Sequence, residues 1–426
     1  MISKFKDSFG RILKNQLLAG SVVLFAGSIV TSFGNYLFHL FMGRLLGPVD
    51  YGVLSSLISL TYWFGVPVGT LGLVVVKYVS VLRGQKRVGQ IDYFYSWLNK
   101  KLLVIGALGF ILLISLSGAI VSFLHFESTL PVLLIMVSSL IGVYATVNGA
   151  ILQGFLRFGL MSALGIVNVV LKLGIAILLV YLGHGVLGGV SAISVASLTG
   201  YLLTALFAVR LLKGAKSKEK AVDGREIIKY AIPVFFSTLA FVSLYTTDIV
   251  LARHFLSARE AGFYAALATL GKIVFFASSP IITVMFPMIS ERHASGKQYL
   301  NFLNLSFGLV ILGCLGVTSV YFFFPELMIK VLFGSQYLPA SPHLFLFAIF
   351  ISLYTFSSLL VNFYLSIKKI KVVVLPMMAA LLQAVGIFVF HQNLSQIVLV
   401  SVGALGLLFI SLLLYLFKEQ IQTRPA

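Results

Sequence analysis

Charge is scarce in this chain. Only 10% of its 426 residues are Asp, Glu, Lys or Arg, and just 12 of those are acidic. Cysteine is reduced to Cys314, set in the apolar run LVILGCLGV, so a disulfide framework or thiolate metal cluster within the chain is excluded. The seven histidines are scattered and form no metal-ligand pattern. What fills the sequence instead is apolar: 59% of residues, with a mean hydropathy of +1.05. An ordinary soluble protein carries roughly 25% charged residues, and a folded surface needs that polar cover. The composition therefore predicts an all-α polytopic membrane protein.

A hydrocarbon core of about 30 Å takes roughly 20 apolar residues per helix. On that ruler twelve spans are expected, near 18–42, 52–76, 102–124, 131–153, 160–183, 185–209, 231–256, 264–289, 301–324, 343–367, 372–391 and 394–417. Barrel strands would show alternating segments of about ten residues, which these are not. The first span is too long for a signal-peptide core and is expected to be retained.

The net charge of +19 is unevenly placed. The termini and the loops after even-numbered spans hold 25 Lys and Arg against 7 Asp and Glu. The opposite loops hold Arg44, Arg253, Arg259 and Lys330 against Asp50, Glu127, Glu260 and Glu326, which cancel. The positive-inside bias then predicts a cytoplasmic-membrane protein with both termini in the cytoplasm. Basicity on that side reads as topology and contact with anionic membrane lipids, not as nucleic-acid binding. Two segments have amphipathic spacing suited to the membrane surface, Met1–Gln16 and the stretch carrying Ile91, Phe94, Trp97 and Leu98. The longest polar stretch, KGAKSKEKAVDGREIIK at 213–229, predicts an N-terminal lobe over 1–212, a basic cytoplasmic linker over 213–230, and a C-terminal lobe over 231–426.

The two halves share a weak repeat. GRLLGPVDYG at 43–52 answers ARHFLSAREAGFY at 252–264, pairing Tyr36 with Tyr245, His39 with Asp248, Arg44 with Arg253, Asp50 with Glu260 and Gly52 with Gly262. Proline follows in the next span of each half, at Pro67 and Pro280, where helix kinks are expected. Six spans per repeat predict parallel repeats about an axis along the membrane normal, an arrangement that suits two pseudo-symmetric six-helix lobes around a central cavity.

The stretch R-L-L-G-P-V-D-Y-G at 44–52 and the stretch TDIVLARHFLSAREAGFYAAL at 247–267 resemble the Wzx-like oligosaccharide flippases of the multidrug/oligosaccharidyl-lipid/polysaccharide exporter superfamily. The resemblance extends over the chain in helix count, basic mid-chain loop and amphipathic start. It implies export of an undecaprenyl-pyrophosphate-linked oligosaccharide through a cationic cavity between two six-helix lobes. The implied partners are that lipid-linked substrate and other glycan-assembly proteins. No cofactor is implied, and the driving ion or proton is left open.

Charges inside spans cost about 2.5–3.5 kcal/mol each by insertion scales, so they face water or a partner. Lys172 lies near the middle of span five, with Asn168 one turn earlier on the same face and no carboxylate in any span of the N-terminal half. It is expected to line a water-filled cavity and, with Asn168, Arg44 and Arg253, to contact the passenger's phosphates. Arg44 and Arg253 serve equally well as interfacial anchors. Polar stripes at helical spacing, including Asn35 and His39 in span one and Tyr354, Ser358 and Asn362 in span ten, suit either the cavity or helix–helix contacts. Asp248 and Lys272 have matching depth on antiparallel neighbours, which predicts an intramembrane ion pair or gate.

Other functions fit less well. A polysaccharide polymerase or glycosyltransferase would need catalytic carboxylates on sizeable outer loops, and here those loops are short with their four acids apart. An enzyme is therefore not expected. A multidrug antiporter exporting cations would need an acidic cavity, whereas the spans hold two lysines against one aspartate.

Overall fold

In a computed structural model of the chain, the structure describes residues 16–85, 87–213, 225–295 and 298–422. Residues 1–15 of the expected amphipathic start and 214–224 of the expected linker (213–230) lie outside the described residues; the linker's last residues, from Arg225, already belong to a helix. Among the described residues every regular element is helical. They are α1 (Gln16–Gly84), α2 (Val88–Phe123), α3 (Leu130–Gly154), α4 (Phe158–Leu179) and α5 (Gly185–Leu212), then α6 (Arg225–Leu244), α7 (Thr247–Phe255), α8 (Ala258–Ala294), α9 (Leu300–Phe323), α10 (Pro325–Leu332), α11 (Leu344–Ser366), α12 (Val374–Val389) and α13 (Leu394–Gln422).

Ten segments among the described residues are long and apolar enough to cross a membrane. Two of them, Phe25–Gly84 and Phe158–Leu212, run to 60 and 55 residues. At 1.5 Å per residue each is more than twice the roughly 30 Å of a bilayer core. Both are interrupted by glycine in the left-handed region, Gly47 at φ 74° in the first, Gly183 at φ 89° and Gly185 at φ 49° in the second. One glycine in the first and two in the second take the backbone conformations that residues with a Cβ resist. Helices α4 and α5 pack side by side, so the chain reverses between them.

Packing divides the chain into two compact units. The first is Met1–Leu45 with Phe64–Ala231; the second is Leu46–Trp63 with Ile232–Ala426. Within the first, α3 and α5 pack most extensively and α1 lies on α4, with Gly27 against Ser162 and Gly34 against Val169. Val75, Tyr78, Val79, Leu82, Ile151 and Leu212 form a buried apolar cluster in this unit. Ile91 and Leu98 join that core, and the Tyr95 hydroxyl donates to Asn148 Oδ1 at 2.7 Å. The start of α2 therefore packs on protein through Ile91 and Leu98, while Trp97 of the same stretch stays exposed. Helical amphipathicity looks the same in either setting.

In the second unit α8 and α11 form the main pair, flanked by α9, α12 and α13. Helix α8 opens on a capping box: Glu260 N–H donates to Ser257 Oγ, and Ser257 N–H to Glu260 Oε2, both at 3.3 Å. Glu260 is thereby accounted for as a helix start. Residues 46–63 lie against α8 through glycine contacts. A Cβ on Gly52 would stand 3.0 Å from the Gly262 nitrogen, and one on Gly262 only 1.8 Å from the Pro48 carbonyl oxygen. Tyr51, fully buried beside them, hydrogen-bonds Thr269 Oγ1 at 2.7 Å. Pro67 and Pro280 sit inside α1 and α8, and the α1 residue with non-helical backbone is Gly47.

Candidate functional site

In the first unit the site is built by α1 and α4. Gly34 brings their backbones close, since a Cβ there would meet Val169 at 2.9 Å. That approach carries Asn35 and Phe38 to Lys172. The Lys172 ammonium donates to Asn35 Oδ1 and stands 4.7 Å above the centre of the Phe38 ring. Both partners are neutral. Among the described residues Lys172 has no carboxylate within ion-pair distance, so its charge is solvated by an amide oxygen and a ring face without being cancelled. Asn168 lies on the same helix one turn before Lys172. Its amide donates to the Ala196 carbonyl at 2.6 Å and ties α4 to α5.

In the second unit the helical path breaks at Tyr245 and Thr246, where α6 ends and α7 begins. No glycine or proline marks the break. Thr246 bonds back to the Val242 carbonyl at 2.6 Å, a contact that competes with the helical ladder. The orphaned Leu244 carbonyl accepts from Gln383 Nε2 at 3.2 Å, and the same nitrogen reaches Ser401 Oγ at 2.9 Å. Across the break Asp248 occupies the first turn of α7, where helix amides favour a negative charge. It is 1% exposed, and its Oδ2 accepts from the Tyr264 hydroxyl at 2.7 Å. Two buried oxygens beside this broken helix, Asp248 Oδ1 and Gln383 Oε1, have no hydrogen-bond partner among the described residues.

Lys272 is held elsewhere. Its ammonium lies 5.2 Å from the Tyr62 ring centre and 5.4 Å from that of Tyr245, and the two rings meet edge-on at 5.7 Å. Tyr354 packs behind Tyr245 at 5.6 Å. Asp248 and Lys272 thus have different nearest partners, a hydroxyl and a pair of aromatic faces; no direct ion pair joins them among the described residues, although the Lys272 charge still acts on the Asp248 carboxylate. Arg44 is exposed, whereas its repeat counterpart Arg253 is 6% exposed, so the two arginines occupy unlike environments. Asn362 is bonded within its own helix to the Ser358 carbonyl at 2.8 Å. Tyr264, Gln383 and Tyr62 escaped the sequence reading. Tyr264 closes the run AGFY by position only, while Gln383 carries no local signal.

Chemically, these groups are an ammonium on neutral partners, a buried carboxylate on a hydroxyl, and a second ammonium on two aromatic faces. No cluster of three or more His, Cys, Asp or Glu side chains able to hold a metal occurs among the described residues.

The fold has solved counterparts. A multidrug resistance transporter of the MATE family, in the MOP superfamily, superposes with a TM-score of 0.71 over 95% of this chain and 99% of its own, at 14% identity. The lipid II flippase MurJ gives 0.70 over 94% of this chain and 88% of its own, also at 14% identity. A MOP superfamily transporter from Pyrococcus furiosus, described by the reverse polarity of its binding pocket, gives 0.60 at 17% identity, over 95% and 97%. No curated protein matches the sequence. A family-wide profile for polysaccharide biosynthesis proteins matches residues 41–342. This chain belongs to the polysaccharide biosynthesis protein family and is a multi-pass membrane protein with the fold of the multidrug/oligosaccharidyl-lipid/polysaccharide transporters and flippases.

Proposed function

We propose that this chain moves a polyprenyl-pyrophosphate-linked oligosaccharide from the cytoplasmic to the outer leaflet of the cytoplasmic membrane by alternating access, without enzymatic chemistry. The observation that carries the reading is the uncancelled ammonium of Lys172, held within a span by an amide oxygen and an aromatic face. A cation with neutral partners favours an anionic passenger and opposes a cationic drug, because charges attract more strongly where water is excluded. A single-point ammonium also suits a phosphate that must be released, where a bidentate arginine would grip. The family, polysaccharide biosynthesis, supplies the matching class of cargo.

On this reading Phe25–Gly84 and Phe158–Leu212 each cross twice, which makes twelve crossings and puts both termini in the cytoplasm. A cysteine at position 218, introduced with Cys314→Ser, should be labelled from inside vesicles and stay protected from outside intact cells. Outside labelling would reverse the orientation. Coupling to a proton or small cation fits at Asp248, a carboxylate buried within a span at the start of α7.

The test of cargo is reconstitution with a fluorescent polyprenyl-pyrophosphate glycan and a probe of leaflet exposure. Lys172→Ala should lower transport at least tenfold, the loss of about 1.5–3 kcal/mol expected for one hydrogen bond to a charged group, at normal membrane abundance. Lys172→Arg should keep part of the rate. Transport of a cationic dye by the wild type, with no glycan movement, would establish the antiporter reading in its place.

A further inference from the structure

A second cationic feature lies in the first unit, apart from Lys172. Where α3 hands over to α4 and α5 ends, a cavity of about 530 Å³ is lined by Leu156, Arg157, Phe158, Phe207, Arg210 and Leu211, among others. Arg157 and Arg210 are both exposed, and neither has a carboxylate within ion-pair distance among the described residues. The Arg210 guanidinium rests 5.8 Å from the Phe207 ring centre, so it is steered but not neutralised. Arg83 firms the same corner, its Nη1 donating to the Gly154 carbonyl at 3.4 Å and its guanidinium standing 5.9 Å from the Phe155 ring. The remaining walls are apolar. They continue along α4 and α5 into exposed Val167, Val170, Leu202, Leu206 and Val209, a ridge suited to hydrocarbon. A soluble anion would gain nothing from that ridge.

We propose that this cavity is a headgroup site for an anionic phospholipid, with the phosphodiester between Arg157 and Arg210 and the acyl chains along the outer faces of α4 and α5. Basic pockets between transmembrane helices on the cytoplasmic side recognise such headgroups. Arginine suits the role through its planar fork, which matches two phosphate oxygens at once. Helix α4 starts here with no side-chain cap, so its first backbone amides add to the same positive end. The site is independent of the transported cargo. It would tie the packed core of Tyr78, Ile91 and Leu212 to the charge of the inner leaflet.

The test uses the full chain in nanodiscs of phosphatidylcholine with a minority of phosphatidylglycerol, followed by native mass spectrometry of the lipids kept after mild detergent release. Arg157→Gln with Arg210→Gln should lower the ratio of phosphatidylglycerol to phosphatidylcholine about 30-fold, and each single variant about fivefold, at roughly 1 kcal/mol per arginine. The double lysine variant should retain part of the preference. An unchanged ratio in the double glutamine variant would overturn the site. Displacement of the retained lipid by excess inorganic phosphate would also overturn it, in favour of a soluble ligand. If the double variant fails to insert, Arg210→Gln alone decides, and an unchanged ratio there overturns the proposal.

Discussion

Gly262→Ala should destabilise the protein by about 3 kcal/mol or more, at the upper end of what overpacking costs. The added methyl would lie 1.8 Å from the Pro48 carbonyl oxygen and 2.4 Å from its carbon, both backbone atoms. A flexible side chain could swing aside; this carbonyl cannot. It belongs to the turn around Gly47, whose φ of 74° already confines the backbone. The neighbours are equally fixed. Tyr51 and Tyr264 are fully buried on either side, and Tyr51 is tied to Thr269 on α8. Membrane helices gain their association from such close approach, since lipid is as apolar as the side chains and offers no hydrophobic drive. The neighbouring Ala261, Ala265 and Ala266 are buried as well, and a Gly52 Cβ would stand 3.4 Å from the Ala261 carbonyl carbon. Thermal unfolding in detergent should show a clear fall for Gly262→Ala and low membrane abundance. Gly406→Ala is the control, because nothing lies within 4 Å of a Cβ there. A wild-type melting temperature for Gly262→Ala would refute the contact.

The sequence made part of this contact visible. Gly52 and Gly262 are repeat partners by register, and the structure brings them together, with a Gly52 Cβ 3.1 Å from the Gly262 Cα. What the repeat could not show is that Leu46–Trp63 packs with the C-terminal half, because chain order alone assigns it to the N-terminal one. The helical, membrane-spanning character was legible throughout, since apolar length and charge scarcity report directly on the bilayer. Helix breaks were less legible. Gly183 and Gly185 could be suspected from their type, but the interruption at Thr246 depends on Gln383, 139 residues away in sequence from the carbonyl it satisfies. The site divides in the same way. Lys172 and Asn35 stood out as polar residues in apolar runs, and the structure joins them. The partners of Asp248 and Lys272 did not, because depth along two helices fixes height without fixing rotation about each axis.

That distinction gives the second large effect. Exchanging the charges, Asp248→Lys with Lys272→Asp, should fail to rescue either single neutralisation and should be the worst variant of the set. At position 248 an ammonium would enter a site 1% exposed, facing the Tyr264 hydroxyl and the first amides of α7, which are donors already. A lysine brings three donors and no acceptor, so the Tyr264 hydroxyl would have to reverse its role. At position 272 a carboxylate would approach the faces of Tyr62 and Tyr245, where the ring quadrupole is negative and repels an anion. Leaving a buried charge without compensation costs about 3–5 kcal/mol. Asp248→Asn is gentler on folding, since its carbonyl oxygen can still accept from Tyr264 and no buried charge remains. The expected order of membrane abundance is wild type and Asp248→Asn highest, Lys272→Gln next, and the exchange lowest. Transport should separate the first two if Asp248 carries the coupling proton or cation, because an amide cannot take up or release it. Recovery of abundance and transport by the exchange, above both single variants, would show that Asp248 and Lys272 bind each other after all, and would withdraw the separate partners assigned to them.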